Sequence, residues 1–283
     1  MRRKECMKFF GVVLWLTVFF TGGVFLPEAS AATVGILSAN GSGVGVPVGQ
    51  LEDTGLFTSV EWIGDISEYT GTANPNGGTF TPTLAQLLPY DAVLVYTNYA
   101  PADPAALGNV LAEYADAGGG LVIGAYSFNT YPGIAGDIMT HGYSPLINNE
   151  FGYQGMVSGT LDVKDPDDPI FSGIKLSSVS YTYNQNAEVD AIPDLDTGAT
   201  LLADDGDGIR MIARNSSGNI IGINICPMGV NENNEEFFKL LGNSLLSVSV
   251  QPVPLPGAFF LLSSGLLGLT GWRKLFKKGQ IAA

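Results

Sequence analysis

The side chains that could carry out chemistry gather after a predicted strand at residues 121–125. Ser127 follows that strand, and His141, the single histidine of the chain, lies in a loop further along. A serine and a histidine within hydrogen-bond reach, with an aspartate to orient the histidine, form a nucleophilic triad. The sequence therefore allows a hydrolase that uses Ser127 and His141, although a loop histidine that makes ordinary hydrogen bonds is the simpler interpretation. One histidine also excludes zinc or iron sites that need two.

Acidic side chains form three short clusters, at residues 165–168, 194–196 and 204–208. In the last cluster Asp204, Asp205 and Asp207 alternate with glycines. Calcium prefers several carboxylate and carbonyl oxygens on flexible loops, so these three residues are the best candidate ligands for calcium. No cluster matches the twelve-residue calcium loop between two helices, and Asp and Gly also favour ordinary solvated turns. A calcium-dependent glycan-binding module stays an alternative.

The elements that must position these residues alternate between strands and helices in the first half of the chain. Short apolar runs predict buried parallel strands, and Thr81-Pro82 and Asp103-Pro104 predict helix starts with Thr81 and Asp103 as N-caps. Residues 126–175 are expected to be long loops, and the later strands, with a turn at 215–219, favour antiparallel pairing. This order predicts a three-layer α/β sandwich. The predicted strands are 33–38, 57–63, 91–96, 121–125, 199–203, 209–213 and 220–225, and the predicted helices include 47–54 and 234–248.

Two stretches of this layout are similar to a known family: residues 121–128, Leu-Val-Ile-Gly-Ala-Tyr-Ser-Phe, and residues 224–228, Asn-Ile-Cys-Pro-Met. Over roughly residues 33–247 the chain resembles the class I glutamine amidotransferase-like superfamily. The resemblance implies a flavodoxin-like sandwich with a mostly parallel sheet. It also implies that Tyr126 stands at the position of the family's nucleophilic cysteine, Cys226 at that of the histidine base, and Met228 at that of the orienting glutamate.

None of these three side chains suits the family's reaction. A tyrosine, with a pKa of about 10, is a poor nucleophile near neutral pH. A methionine cannot orient a base through strong hydrogen bonds. The resembled family carries its nucleophile at a sharp strand-to-helix turn, called an elbow. A shift of the alignment by one residue would put Ser127 at this elbow, without the flanking glycine that such elbows usually have. We therefore expect no amidotransferase activity, a protein that is not an enzyme, and no cofactor.

The C-terminal segment, residues 251–283, has the organisation of a sorting signal. Val253, Pro254, Leu255 and Pro256 precede an apolar run at residues 258–272, and Arg and Lys residues follow it. The uncharged stretch is close to the roughly 20 residues that a helix needs to cross a bilayer, and basic flanks stay on the cytoplasmic side. The segment resembles the Val-Pro-Leu-Pro variant of the PEP-CTERM sorting signals. That resemblance implies membrane retention followed by cutting by an exosortase-type peptidase, and a plain membrane anchor without cleavage is the alternative.

The first 31 residues have the pattern of a secretory signal peptide. A basic start precedes an apolar core at residues 9–25, and Ala29-Ser30-Ala31 supplies the small residues of a cleavage site. We expect passage through the Sec translocon and a mature chain that begins at Ala32. The predicted organisation is therefore a signal peptide at 1–31, an α/β domain at 32–250 and a sorting tail at 251–283.

Removal of both ends makes the body strongly acidic. Eight of the 13 Lys and Arg residues but only two of the 27 Asp and Glu residues lie in the terminal segments, so the body has a formal charge of −20 against −14 for the whole chain. Nucleic acid is an improbable partner, because phosphate binding needs clustered cations. The sequence predicts an exported protein of the cell surface or exopolysaccharide matrix, with a non-enzymatic structural or binding role and extracellular polysaccharide as a possible partner. The competing expectation is an extracellular hydrolase that uses Ser127 and His141.

Overall fold

The computed structural model describes residues 32–41, 45–69, 79–140, 142–147, 153–157, 159–175, 179, 187–190 and 193–249. The strands are β1 (Ala32–Ala39), β2 (Phe57–Asp65), β3 (Ala92–Thr97), β4 (Gly120–Gly124), β5 (Leu146–Ile147), β6 (Tyr153–Val157), β7 (Asp162–Val163), β8 (Ala187–Asp190), β9 (Asp194–Leu195), β10 (Thr200–Asp204), β11 (Arg210–Arg214) and β12 (Ile220–Ile223). The α-helices are α1 (Val48–Glu52), α2 (Leu84–Leu87), α3 (Pro104–Asp116) and α4 (Glu235–Ser249), and short 3-10 helices include Asp137–Met139, Pro169–Phe171 and Pro227–Gly229.

An eight-stranded sheet forms the centre of the fold, in the order β2-β1-β3-β4-β12-β11-β10-β7. Neighbouring strands are parallel from β2 to β12 and antiparallel from β12 to β7. The parallel part has the strand order of flavodoxin-like folds. The predicted fold class is therefore confirmed: a flavodoxin-like, glutamine amidotransferase-like α/β sandwich with a more antiparallel C-terminal part.

Apolar clusters cover both faces of the sheet, which is why its central strands are continuous apolar runs. In β3, Leu94 and Tyr96 belong to one cluster and Val93 and Val95 to the other, and all four side chains are fully buried. Helices α1 and α4 contribute to the first cluster, and helices α2 and α3 to the second. Because the parallel strands run in the same direction between these two helical layers, their carboxyl ends lie at the same edge of the sheet.

The two predicted helix starts differ in outcome. Asp103 is the N-cap of α3, because its Oδ1 accepts a hydrogen bond from the backbone N–H of Ala106 at 2.9 Å and Pro104 is the first helical residue. The prediction of Thr81 as the N-cap of α2 was wrong by two residues. Thr83 is the N-cap, because Gln86 lies three residues further on and its Oε1 accepts from the Thr83 backbone at 2.9 Å in a capping box.

The middle of the chain, residues 126–175, holds more structure than the long loops that the sequence predicts. Strand β7 pairs with β10 and extends the main sheet, and β5 pairs with β9. One 3-10 helix precedes β5 and another follows β7. Strands of two residues are too short to show an alternating pattern, which explains why no sequence signal marks them. The predicted turn at 215–219 is present between β11 and β12, where Asn215 Oδ1 accepts from the Ile220 backbone N–H at 3.0 Å.

The two predicted targeting segments lie outside the described residues. This includes Ala29 and Ala31 of the predicted signal cleavage site and Val253, Pro254, Leu255 and Pro256 of the predicted sorting motif. Among the residues that the structure does describe, none of the helices combines the length and the apolar character that a membrane span needs.

Candidate functional site

The carboxyl ends of β1, β3, β4 and β12 meet at one edge of the sheet. From β1 the chain continues to β2 on one side, and from β3 it continues to β4 on the other, so β1 and β3 flank the point where the strand order reverses. Open α/β sheets bind ligands in the crevice at such a point. A cavity of about 630 Å³ opens there, between the segments that follow β1, β3 and β12.

Side-chain amides are the common feature of the cavity lining. They come from the ends of β1 and β3, from α1 and from the segment that precedes α4, and they are Asn40, Gln50, Asn98, Asn231 and Asn233. An amide group both donates and accepts hydrogen bonds without carrying charge. Glu232 is the one charged side chain among the described lining residues, so the cavity offers many hydrogen bonds and no positive charge.

The loops around the cavity are fixed by hydrogen bonds to β1. The backbone N–H groups of Asn98 and Tyr99 both donate to the carbonyl oxygen of Ala39, each at 2.8 Å. Met228, in the segment after β12, packs against the loop that follows β1: its sulfur accepts a hydrogen bond from Asn40 Nδ2 at 3.6 Å. A Cβ added at Gly45 would lie 2.8 Å from Met228 Cγ, so only a glycine leaves room for this side chain. Met228, which the resemblance places at the position of the orienting glutamate, therefore lines the cavity.

The elbow, residues 125–129, follows β4 and carries Tyr126. The Tyr126 backbone N–H donates to Thr97 O at 2.7 Å, the Ser127 N–H donates to Gly124 O at 3.1 Å, and the Ala125–Tyr126 peptide bond is cis. Only 4% of Tyr126 is exposed, and its side chain belongs to the apolar cluster that α4 helps to form. Tyr126, which the resemblance places at the position of the nucleophile, is thus packed into the core.

Cys226, which the resemblance places at the position of the base, is fully buried. It lies near the phenol of Tyr96. Burial raises the pKa of Tyr96 well above its ordinary value, and the Cys226 sulfur raises it further. A phenol with a raised pKa stays protonated at neutral pH, so Tyr96 does not present a phenolate nucleophile beside Cys226.

Of the two residues in the predicted hydrolase pair, Ser127 and His141, the structure describes only Ser127. Ser127 is fully buried, and within the described part of the chain its hydroxyl has no hydrogen-bond partner. His141 lies outside the described residues, so the predicted Ser127–His141 pair stays a prediction.

The acidic cluster at Asp204, Asp205 and Asp207 is held by partners of its own. Asp204 forms an ion pair with Lys164 at 2.8 Å. Asp205 Oδ1 accepts backbone hydrogen bonds from Asp207 at 2.9 Å and from Ile209 at 2.8 Å. In the parts of the chain that are described, no three His, Cys, Asp or Glu residues come together as a group that could hold a metal ion. The structure thus presents these carboxylates as turn-forming groups, and calcium binding there stays untested.

Comparison with known proteins concerns the fold alone. No family model matches the chain. No curated protein matches it either. Among solved structures, it is similar to a protein from Bacteroides uniformis described as a candidate ThuA-like protein, at 12% identity and a TM-score of 0.49, over 80% of this chain and 94% of that one. It is also similar to a protein from Thermoplasma acidophilum described as one subunit of a candidate GMP synthase, at 12% identity and a TM-score of 0.45, over 76% of this chain and 94% of that one.

The sequence analysis predicted site residues at the elbow and did not predict the side-chain amides that line the cavity. A signal for them existed, because Asn40 and Asn98 each stand just after a predicted buried strand. Polar residues at the carboxyl ends of neighbouring parallel strands meet at one edge of the sheet. The partners from residues 231–233 carry no such signal, since only the fold brings that segment to the same edge.

Proposed function

We propose that this protein is an exported, non-enzymatic binding protein of the cell surface or exopolysaccharide matrix, with its ligand site in the cavity between the ends of β1 and β3. The observation that carries the proposal is the combination of an open, amide-lined cavity of about 630 Å³ with buried Tyr126 and Cys226 at the reactive positions. Such a site can hold a ligand through hydrogen bonds, but it offers no activated nucleophile.

An assay for catalytic turnover of candidate substrates tests the proposal that the protein is not an enzyme. Purified protein is incubated with glutamine, with model esters and amides, and with extracellular polysaccharide, and the products are followed by mass spectrometry. We expect no product above the blank. The proposal fails if turnover occurs and is abolished in a Ser127→Ala or His141→Ala variant, because this result would establish the hydrolase alternative.

Export and processing are a separate part of the proposal, and they rest on the sequence of the two ends. We infer passage through the Sec translocon, retention by the apolar segment at residues 258–272, and cutting near the Val253–Pro256 motif by an exosortase-type peptidase. Intact-mass analysis of surface or secreted material is the test. A chain that lacks residues 1–31 and the end of the tail supports the proposal, whereas an untrimmed chain recovered from the cytosol contradicts it.

A further inference from the structure

We propose that the ligand is a neutral polysaccharide, bound across three exposed tyrosines, Tyr69, Tyr99 and Tyr131, and the amide-lined cavity beside them. This inference rests on the proposed binding function and names its ligand class. Sugar rings combine apolar C–H faces with many hydroxyl groups. A site for them therefore needs flat aromatic surfaces together with uncharged hydrogen-bonding groups.

The three tyrosines, here called the tyrosine platform, are unusually exposed for large apolar side chains. Tyr69 is 57% exposed, Tyr99 39% and Tyr131 57%. The rings of Tyr69 and Tyr99 are neighbours, with centroids 4.7 Å apart and planes inclined by 52°. Exposed aromatic surface lowers solubility unless something binds there, so a group of three on one edge indicates a contact surface.

The backbone holds the platform in place. The segment after β2 pairs with the segment after β3 through a bridge between Ser67 and Pro101, and this pairing puts Tyr69 beside Tyr99. Gly41, just after β1, lies against the ring of Tyr99 and the Cβ of Tyr69: a Cβ added there would be 3.3 Å from Tyr99 Cε2 and 3.7 Å from Tyr69 Cβ. The rings are thus anchored to the same strand ends that shape the cavity.

The third tyrosine is tied to the same segment. The Tyr131 hydroxyl donates a hydrogen bond to Glu68 Oε1 at 3.1 Å, and Glu68 itself donates its backbone N–H to Ala100 O at 2.8 Å. Because Tyr131 follows the elbow and Glu68 follows β2, this contact joins segments that are distant in sequence. The three tyrosines therefore lie on one surface, although they come from three separate segments of the chain.

The platform adjoins a groove that consists of two cavities with shared lining residues. Tyr99 lines the cavity of about 630 Å³, and a second cavity of about 530 Å³ shares Gln50, Glu232, Asn233 and Phe238 with it. The second cavity runs between α1 and the start of α4. A chain-like ligand could stack on the platform and hydrogen-bond along the groove, whereas a single small molecule would fill only part of it.

The charges along the groove select against anionic chains. Asp53, Glu232 and Glu235 line it, and its one described cation, Lys239, donates a hydrogen bond to Gly173 O at 2.6 Å. Uronic-acid polymers and nucleic acids would meet like charge there, so the surface fits a neutral glycan.

The test is direct titration of the full protein with a panel of neutral hexasaccharides of glucose, mannose, galactose and xylose in α and β linkages, with an oligogalacturonate as the anionic probe. The Tyr69→Ala/Tyr99→Ala double variant removes two rings. Leu88→Ala is the matched control, since Leu88 is 54% exposed and precedes β3, at the opposite edge of the sheet.

We expect at least one neutral hexasaccharide to bind, and the double variant to weaken its Kd at least tenfold, because tyrosines at the centre of a contact dominate its affinity. The Leu88→Ala variant should stay within about twofold of the parent, because it keeps the rings of the platform. Failure of the whole neutral panel, stronger binding of the oligogalacturonate, or a Kd unchanged in the double variant each overturns the inference. Cleavage of a bound sugar would instead refute the non-enzymatic function and leave the glycan site intact.

Discussion

Helix α3 contains a glycine where another segment crosses it, and this contact gives a sharp test of the packing behind the elbow. A Cβ added at Gly108 would overlap the carbonyl oxygen of Ala135 and would lie 2.8 Å from its carbonyl carbon. Hydrogen bonds hold the crossing segment on α3: Ala135 N donates to Pro104 O at 3.1 Å, and Asp137 N donates to Asn109 Oδ1 at 2.9 Å. The Gly108→Ala variant must therefore displace this segment.

Three effects set the size of the change in stability. Overpacking costs about 1–3 kcal/mol, and weakening the two hydrogen bonds costs up to about 1 kcal/mol each. The better helix propensity of alanine returns about 1 kcal/mol. We expect Gly108→Ala to lower the free energy of unfolding by about 2 kcal/mol, which corresponds to a Tm lower by about 4–8 °C for a body of this size.

Gly49→Ala in α1 is the matched control, because a Cβ added there meets nothing within 4 Å. This variant should raise the free energy of unfolding by about 0.5–1 kcal/mol. Urea denaturation followed by tryptophan fluorescence compares the two variants with the parent. The same substitution in two helices should shift the midpoint in opposite directions, and a Gly108→Ala variant that is as stable as Gly49→Ala would refute the packing of α3 described above.

Three further predictions concern charged and titratable groups. Arg214 pairs with the half-buried carboxylate of Asp168 at 2.9 Å. The Arg214→Met variant should therefore lower the free energy of unfolding, measured by urea denaturation, by about 2–3 kcal/mol. A decrease of less than about 0.5 kcal/mol would contradict this. Partial burial acts to raise the pKa of Asp204. The hydrogen bond from Lys164 outweighs this effect, so that the pKa lies below its ordinary value of 3.8. The parent should therefore be more stable than Asp204→Asn at neutral pH, and the difference should vanish as the pH falls through that lowered pKa; a difference that persists in acid argues against the ion pair. Burial raises the pKa of Tyr90 to about 12. The contribution of Tyr90 to the free energy of unfolding should therefore hold up to about pH 10, its pKa in the unfolded chain, and be lost as the pH rises through the folded value. The Tyr90→Phe variant should lose less stability in alkali than the parent, and identical curves of stability against alkaline pH would refute this.

The sequence could predict the fold because the central strands are buried on both faces. Residues 92–97 are fully buried, and in sequence they form one of the near-continuous apolar runs that are typical of strands in a covered parallel sheet. The Asp103-Pro104 pair marked a helix start because its cap is local, a bond between residues three apart. The start of α2 was misplaced because two threonines compete there, and Gln86 decides in favour of Thr83.

The candidate site was harder to predict because its parts share neither a motif nor a period. Asn40, Asn98 and Asn231 come from three distant stretches and meet only through the sheet order. The exposure of Tyr69 and Tyr99 depends on the bridge between the segments after β2 and β3, which leaves no pattern in the sequence. Sequence reasoning instead favoured positions named by the family resemblance, and Tyr126 and Cys226 proved to be core side chains.

A crystal structure of the protein with a bound neutral hexasaccharide tests the central claim most directly, because it reports both where the ligand lies and whether it has reacted. The account predicts an intact sugar chain with rings stacked on Tyr69 and Tyr99 and hydroxyl groups bonded to the amides of the cavity. A sugar bound elsewhere would contradict the site, and a cleaved sugar or one bonded covalently to Ser127 would contradict the absence of chemistry.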